Sequence, residues 1–223
     1  MNKNDKLMKL FIIFFVYFLY TMYAGTIFQT LGLNNTIIAS FAGDIVFSLF
    51  IIYNYRKNLK SDLKKLKRQS LKKTIGTIFK WVIIIFVFVI FCGFITDLII
   101  PGHASDANTS AVYDLYSVST WYTIFKTMIF GTLIEEILYR ESVRDCIKNN
   151  FVFIIVSSVI YTFLNTVFVG FTEGFVLSSM LIYFLPAIFW SIAYLRNNDN
   201  ILLLSLIKFT YNLIPLTILL LGL

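Results

Sequence analysis

The sequence contains few charged residues. Asp, Glu, Lys and Arg make up 14% of its 223 residues, compared with about 25% in a typical soluble domain. Hydrophobic residues make up 58%, and apolar runs recur along the whole chain with no low-complexity linker between them. This composition excludes an ordinary soluble enzyme. It predicts an all-α integral membrane protein, with residues 1–223 forming a single transmembrane helical domain.

The chain is also poor in residues that bind metals or form disulfides. It has one histidine, His103, and two cysteines, Cys92 and Cys146. The two cysteines fall in different spans or loops that should lie on opposite sides of the membrane, and a disulfide needs Cα atoms within about 7 Å of each other. A zinc site needs several Cys, His or carboxylate ligands close together. The sequence therefore predicts no disulfide, no metal and no other cofactor.

Seven apolar stretches are long enough to cross a bilayer, which takes about 20 residues of helix. They cover roughly residues 10–29, 36–55, 77–100, 119–139, 151–170, 175–195 and 201–221. The first run continues to Phe28, beyond the apolar region of about 7–15 residues in a cleaved signal peptide. We therefore expect it to remain as the first span, with residues 1–118 forming accessory spans and residues 119–223 a core of four spans.

Basic residues alternate from one side of the predicted membrane to the other. Nine of the 19 lie in segment 56–73, and others precede the first span, follow the fourth and follow the sixth. The alternate loops, 30–35, 101–118 and 171–174, contain no Lys or Arg. Because cytoplasmic loops carry the excess of basic residues, we expect a multi-pass protein of the cell membrane. Its N-terminus would be cytoplasmic and its C-terminus extracytoplasmic.

The same distribution explains the net charge of +7. Basic residues beside apolar spans indicate contact with anionic lipid headgroups, so the lipid bilayer is the expected partner and nucleic acid is not. Within the basic cytoplasmic loop 56–73, residues Leu59 to Lys73 are expected to form a short amphipathic helix on the lipid surface. A solvated basic loop is the alternative.

Several charged residues fall inside the apolar stretches, where a charge is costly and rarely incidental. They are Asp44, Asp97, Lys126, Glu135, Glu136 and Lys208. Asp97 and Lys126 lie at similar depth, so we expect an ion pair between them, with Asp44 as the second candidate partner. A transporter usually has interrupted spans in matching positions of two halves, and this sequence shows no such symmetry.

The paired acids begin a recognisable motif. The segment Glu135-Glu136-Ile-Leu-Tyr-Arg140 resembles the first motif, EExxxR, of the CPBP family. This family of intramembrane proteases includes the CAAX prenyl endopeptidases and the bacterial Abi proteins linked to bacteriocin processing and self-immunity. The resemblance extends over roughly residues 121–215. It implies that the last four spans form a CPBP-like core.

Two further motifs of the family have counterparts on later spans, but with substitutions. The second motif, FxxxH, corresponds to Tyr161 and Asn165, and the third, HxxxN, corresponds to Lys208 and Asn212. Both family histidines are therefore replaced. By this resemblance the site residues are Glu135, Glu136, Arg140, Asn165, Lys208 and Asn212, facing one another across a pocket that opens toward the cell interior.

The replacements bear on catalysis. Peptide hydrolysis needs a base that activates water and donors that stabilise the oxyanion. In the family a motif carboxylate is thought to be that base, assisted by histidine and asparagine. Asn165 has no titratable nitrogen, and the ammonium group of Lys208 should point toward the two glutamates. We therefore expect an ion-pair cluster to replace the catalytic water and to connect the fourth and seventh spans.

Three functions remain open. In the first, a catalytically degenerate protein binds or regulates a membrane partner, such as an enzyme or a sensor kinase, or acts in bacteriocin self-immunity. In the second, the protein is an active glutamate-dependent intramembrane endopeptidase that takes a peptide substrate. In the third, it is an unrelated transporter or scaffold. Fold similarity alone does not choose among them, because function depends on the site.

The depths of the motif residues raise one further question. At about 1.5 Å per residue, Lys208 lies about 10 Å and Asn165 about 20 Å from the cytoplasmic ends of their spans. Glu135 lies near the end of its own predicted span. Either the fourth helix continues past Arg140 toward Lys148, or the fifth begins later than predicted.

Overall fold

A computed structural model describes residues 3–33, 35–99, 107–173 and 177–221. Over these residues the chain is helical and contains no β-strand. The helices are α1 (Lys3–Thr30), α2 (Thr36–Arg68), α3 (Leu71–Ile99), the short α4 (Ala107–Val118), α5 (120–146), α6 (Asn150–Glu173), α7 (Leu177–Arg196) and α8 (Ile201–Leu221). Every helix except α4 overlaps one predicted span, so the all-α membrane fold is confirmed.

Four of these helices, α1, α2, α3 and α8, are long and apolar enough to cross a membrane, with mean hydropathy between 1.7 and 2.8. Their outward faces carry large apolar side chains: Phe11, Phe79 and Phe94 are 70%, 57% and 62% exposed. Such extensive apolar surface is not stable in water, whereas helices satisfy their own backbone hydrogen bonds in lipid.

Helix α2 differs from its prediction. Residues 56–68, expected to be part of a loop or of a separate short helix, continue α2 without interruption to Arg68. Its 33 residues span about 50 Å, more than the roughly 30 Å of hydrocarbon. Leu59 and Leu66 of this extension pack against the core, while Leu63 is exposed. One side of the extension therefore packs against the helix bundle, and the opposite side is exposed.

Asp62 joins the extension of α2 to the beginning of α8. Its buried carboxylate accepts hydrogen bonds from the backbone N–H of Ile201 at 2.8 Å and from Lys65 at 2.8 Å. Asn200 donates to the backbone carbonyl of Asp62 and accepts from the N–H of Leu203. These bonds satisfy donors that a helix N-terminus leaves unpaired. They fix the position of the helix that carries Lys208.

Helix α5 contains two π-helical segments. It begins as α-helix over Thr120–Phe125, is π-helical over Lys126–Ile134 and Ile137–Glu141, and ends as α-helix over Ser142–Cys146. The N–H of Glu135 donates to the carbonyl of Phe130, and that of Ser142 to Ile137. Hydrogen bonds between residues five apart are rare in helices, and where they occur they are often found at functional sites.

The continuation of α5 resolves the question of depth. The fourth predicted span runs past Arg140 to Cys146, whereas α6 begins at Asn150, close to its predicted start. The motif therefore lies within the helix bundle rather than at its end. Ile137, Leu138 and Tyr139 are at most 1% exposed, and α5 packs against α1, α2, α6 and α8.

Candidate functional site

Four of the predicted site residues meet in a buried group that we call the central cluster: Glu135, Glu136, Arg140 and Lys208. The Nζ atom of Lys208 lies 2.6 Å from Oε1 of Glu136 and 3.6 Å from Oε2 of Glu135. Arg140 Nη1 lies 3.3 Å from Glu136. The side chains of Glu136 and Arg140 are 0% exposed. The expected contact of Lys208 with the glutamates is present.

The helices explain this arrangement. Glu136 and Arg140 are four residues apart on α5, and Lys208 reaches them from the second turn of α8. Tyr161 of α6, at the position of the family's phenylalanine, covers both cations. The centre of its ring lies 4.7 Å from the guanidinium carbon of Arg140 and 5.7 Å from Lys208 Nζ. Cation–π attraction therefore adds to the ion pairs.

The hydrogen bonding of the central cluster is incomplete. Among the described residues, Arg140 Nε, Arg140 Nη2 and Glu136 Oε2 have no hydrogen-bond partner, although all three atoms are buried. Most buried polar atoms in proteins are hydrogen-bonded, and exceptions require an explanation. The charges balance, with two carboxylates and two cations, but the described residues leave three of the cluster's buried polar atoms without a hydrogen-bond partner.

A cavity of about 460 Å³ lies beside the central cluster, lined by residues of α3, α4, α5, α6, α7 and α8. Glu135, Lys208, Asn165 and Asn212 line it, whereas Glu136 and Arg140 lie outside its lining. Aromatic side chains form much of the remaining wall, including Tyr161, Trp190 and Tyr211. The structure therefore brings four of the six predicted site residues to one cavity.

The two asparagines donate hydrogen bonds to backbone carbonyls rather than to the central cluster. Asn165 Nδ2 donates to the carbonyl of Tyr161 at 2.8 Å, and Asn212 Nδ2 donates to the carbonyl of Thr127 at 2.9 Å. Their amides thus face the cavity while remaining tied to α6 and α5. Asn212 also connects α8 to the first π-helical segment.

The donor set does not fit a metal ion. The carboxylates of the central cluster face two cations, which would oppose a third positive charge. Among the residues that the structure describes, no group of three or more His, Cys, Asp or Glu side chains is placed to hold a metal. A zinc site would require three or four such ligands around one point.

A second polar group, the outer cluster, consists of Asp44, Lys126, Tyr20 and Tyr122. Lys126 Nζ lies 2.8 and 3.0 Å from the two oxygens of Asp44. Tyr20 donates to one of these oxygens, and Tyr122 donates to the other at 3.0 Å. Lys126 and Glu135 also both line a cavity of about 290 Å³ between α1, α2 and α5.

The outer cluster corrects one prediction. Lys126 was expected to pair with Asp97, but it pairs with Asp44, the second candidate. Asp97 is exposed near the end of α3, and α3 packs against α7 and α8, whereas α1 and α2 pack together and α2 packs against α5. Similar depth in the membrane did not show which helices are neighbours.

Glu141 is a buried acid that sequence reasoning missed. It is 7% exposed and accepts hydrogen bonds from Tyr194 at 2.5 Å and from Asn58. The predicted span ended at residue 139, which placed Glu141 in a loop. The alternative in which the fourth helix continues past Arg140 would have placed Glu141 inside the helix bundle.

The comparisons with known proteins agree with the motif. Residues 117–214 match the family model described as Type II CAAX prenyl endopeptidase Rce1-like. No curated protein and no solved structure matches the chain. The matched segment runs from the end of α4 into α8, contains all six predicted site residues, and confirms the resemblance seen over residues 121–215. The chain therefore carries, at residues 117–214, an Rce1-like domain of the CPBP family within a multi-pass membrane protein.

Proposed function

We propose that this protein is a catalytically degenerate member of the CPBP family. In this proposal it works by binding a transmembrane segment or membrane-bound peptide of a partner in the 460 Å³ cavity. It resides in the cell membrane with its basic end in the cytoplasm. Bacteriocin self-immunity is one setting for such a protein, because immunity also can depend on binding rather than on cleavage.

The ion pair of Lys208 with Glu136 carries the proposal. A general base must reach the proton of the attacking water, but Glu136 is fully buried and contacts Lys208 at 2.6 Å and Arg140 at 3.3 Å. Its carboxylate is outside the cavity lining. The family histidine would have offered a titratable nitrogen here, whereas the lysine supplies a fixed positive charge.

The cavity supports the binding half of the proposal. Apolar and aromatic side chains form most of its wall. The polar residues that line it include Lys126, Thr127, Glu135, Asn165, Lys208 and Asn212. Binding sites commonly combine an apolar wall with a small number of oriented polar groups. In the membrane these groups can pair with backbone atoms of a partner segment whose helix is interrupted.

One observation favours a second candidate, a glutamate-dependent endopeptidase. Glu135 lines the cavity, its side chain is 25% exposed, and its distance from Lys208 is 3.6 Å. It is therefore the carboxylate of the motif that a water molecule in the cavity can reach. In this candidate Glu135 acts as the base, with Asn165 and Lys208 in altered roles.

A cleavage assay separates the two candidates. Wild type, Glu135→Gln and Glu136→Gln, each in lipid nanodiscs, are incubated with a prenylated peptide ending in a CAAX sequence, and peptide products are measured by mass spectrometry. We expect wild type to give no more product than either variant. Cleavage by wild type that Glu135→Gln abolishes would overturn the proposal and establish the endopeptidase.

Site-directed photocrosslinking tests binding. A photoreactive residue replaces Tyr211, which lines the cavity, or Leu213, which is 41% exposed on the outside of the same helix. In native membranes we expect a discrete protein adduct from position 211 only, and we expect Val89→Trp, which fills the cavity, to remove it. The same adducts from both positions, or no effect of Val89→Trp, would contradict binding in the cavity.

A further inference from the structure

A second large cavity, of about 500 Å³, lies at the basic end of the helix bundle, away from the central cluster. It is open on one side and is lined by the end of α2, the first turns of α3, the turn between α7 and α8, and the beginning of α8. The residues that line it are Gln69, Lys73, Thr77, Lys80, Trp81, Ile84, Arg196, Asn197, Asn198 and Leu203. None of the motif positions contributes to it.

The charge of this basic cavity has one sign. Lys73, Lys80 and Arg196 line it, and its lining contains no carboxylate. Among the described residues, no ion pair involves any of these three cations. The acids on neighbouring turns are already engaged, since Asp62 pairs with Lys65 at 2.8 Å and Asp199 pairs with Arg144 at 2.9 Å. The cavity therefore has a positive charge that the protein leaves uncompensated.

The position of the basic cavity matches the edge of the hydrocarbon layer. On α3, Lys73 and Lys80 belong to the lining, while Phe79 and Ile83 face outward and are 57% and 61% exposed. Outward apolar side chains thus begin within the same turns that carry the lysines. Trp81, another lining residue, is of the type enriched at membrane–water interfaces. Lipid phosphates lie just outside the hydrocarbon layer, so a cavity at its edge would meet them.

We propose that the basic cavity binds the phosphate group of an anionic phospholipid. Lys73, Lys80 and Arg196 surround the phosphate, and charge-assisted hydrogen bonds from such groups are the stronger ones. Trp81 and Ile84, which line the cavity and are half-buried, contact the beginning of the acyl chains. The apolar part of the wall distinguishes a lipid from free phosphate, and basic pockets between helices on the cytoplasmic side are typical of anionic lipid sites.

Native mass spectrometry of the detergent-purified full chain tests this proposal with phosphatidylglycerol and phosphatidylcholine of identical acyl chains. The test variant is Lys73→Gln/Lys80→Gln/Arg196→Gln. The matched control is Lys57→Gln/Lys60→Gln/Lys64→Gln, which removes the same charge from exposed positions of α2 outside the cavity. An unfolding measurement without added lipid shows whether each variant is folded. If the triple variant is not folded, the single variant Lys80→Gln is used in its place.

We expect wild type to retain one phosphatidylglycerol molecule in preference to phosphatidylcholine. The triple variant should bind it at least about tenfold more weakly, and the control less than about threefold, because each basic group near the phosphate contributes separately. Higher salt should weaken binding. Equal retention of the two lipids, equal losses in the test and control variants, or displacement of the lipid by millimolar inorganic phosphate would overturn the proposal.

Discussion

The central and outer clusters are both buried ion-pair groups on α5, and they differ in how completely their polar atoms are bonded. In the outer cluster, both oxygens of Asp44 accept hydrogen bonds from Lys126 and from tyrosine hydroxyls. The side chain of Lys126 remains 32% exposed. In the central cluster, Arg140 is fully buried and two of its nitrogens lack a hydrogen-bond partner among the described residues.

This difference indicates that the two clusters have different roles in the protein. A buried ion pair seldom stabilises a protein more than apolar residues of the same size would. The outer cluster, with its bonds complete, is a structural connection between α1, α2 and α5. The central cluster buries its charges more completely, since Glu136 and Arg140 are 0% exposed, and such burial of charge is not needed for stability. Its acids and its arginine lie in the segment that resembles the family's first motif, and Lys208 supplies a positive charge beside Glu136.

The largest expected effect comes from Lys208→Met, which leaves two glutamates opposite one arginine. Removing one partner of a buried ion pair costs about 3–5 kcal/mol, so we expect a loss of unfolding free energy in that range in detergent micelles, followed by tryptophan fluorescence. Lys208→Arg keeps the charge and should cost less. A Lys208→Met protein that unfolds like wild type would show that the pair does not contribute to stability.

Asp44→Asn tests the outer cluster and should have a smaller effect. The asparagine can still bond with Tyr20 and Tyr122, and Lys126 can reach water or headgroups, so we expect a loss of about 1–2 kcal/mol. Asp97→Asn, at an exposed position, serves as the control and should unfold like wild type. Equal losses of unfolding free energy in the two variants would contradict the assignment of Asp44 rather than Asp97 as the partner of Lys126.

Asp62→Ala affects a buried acid outside both clusters and tests whether the position of α8 depends on the extension of α2. Loss of the bonds to Ile201 and Lys65 should lower the unfolding free energy by about 1 kcal/mol. Asp62→Asn, which keeps an acceptor for the helix N-terminus, should cost less. Identical unfolding of the alanine variant and wild type would mean that α8 is placed without this contact.

The smallest effect is expected for Glu135→Gln. Its side chain is 25% exposed and 3.6 Å from Lys208, so the pair should contribute less than about 1 kcal/mol. Glu136→Gln, at a fully buried position, should cost clearly more in the same unfolding measurement. A larger loss for Glu135→Gln than for Glu136→Gln would reverse the roles that we assign to the two acids.

The sequence predicted the helices and the central contact for identifiable reasons. Apolar runs of about 20 residues mark membrane helices directly, and the spacing of the three motifs placed Lys208 near Glu135 and Glu136. The depth of a residue within its span, however, does not show which neighbouring helices its side chain contacts. It could not show that α2 rather than α3 packs against α5, so Lys126 was assigned to Asp97 instead of Asp44.

Two further features were predicted only in part, because polar residues were interpreted as marking the end of a membrane span. A helix was expected over Leu59 to Lys73, but as a separate helix on the lipid surface. Only the packing of Leu59 and Leu66 and the hydrogen bonds of Asp62 show that this segment continues α2. In the same way, the fourth span was predicted to end at residue 139, with continuation past Arg140 as one of two alternatives. The burial of Arg140 depends on Glu136, Tyr161 and Lys208, which come together only in the folded bundle.

A double-mutant cycle on Glu136 and Lys208 tests most directly whether these two side chains are paired. The unfolding free energies of wild type, Glu136→Gln, Lys208→Met and the double variant are measured in the same detergent. The structure predicts a coupling energy of at least about 1 kcal/mol, because contacting buried charges are not additive. A coupling energy near zero would contradict the ion pair, and with it the explanation for the loss of a catalytic base.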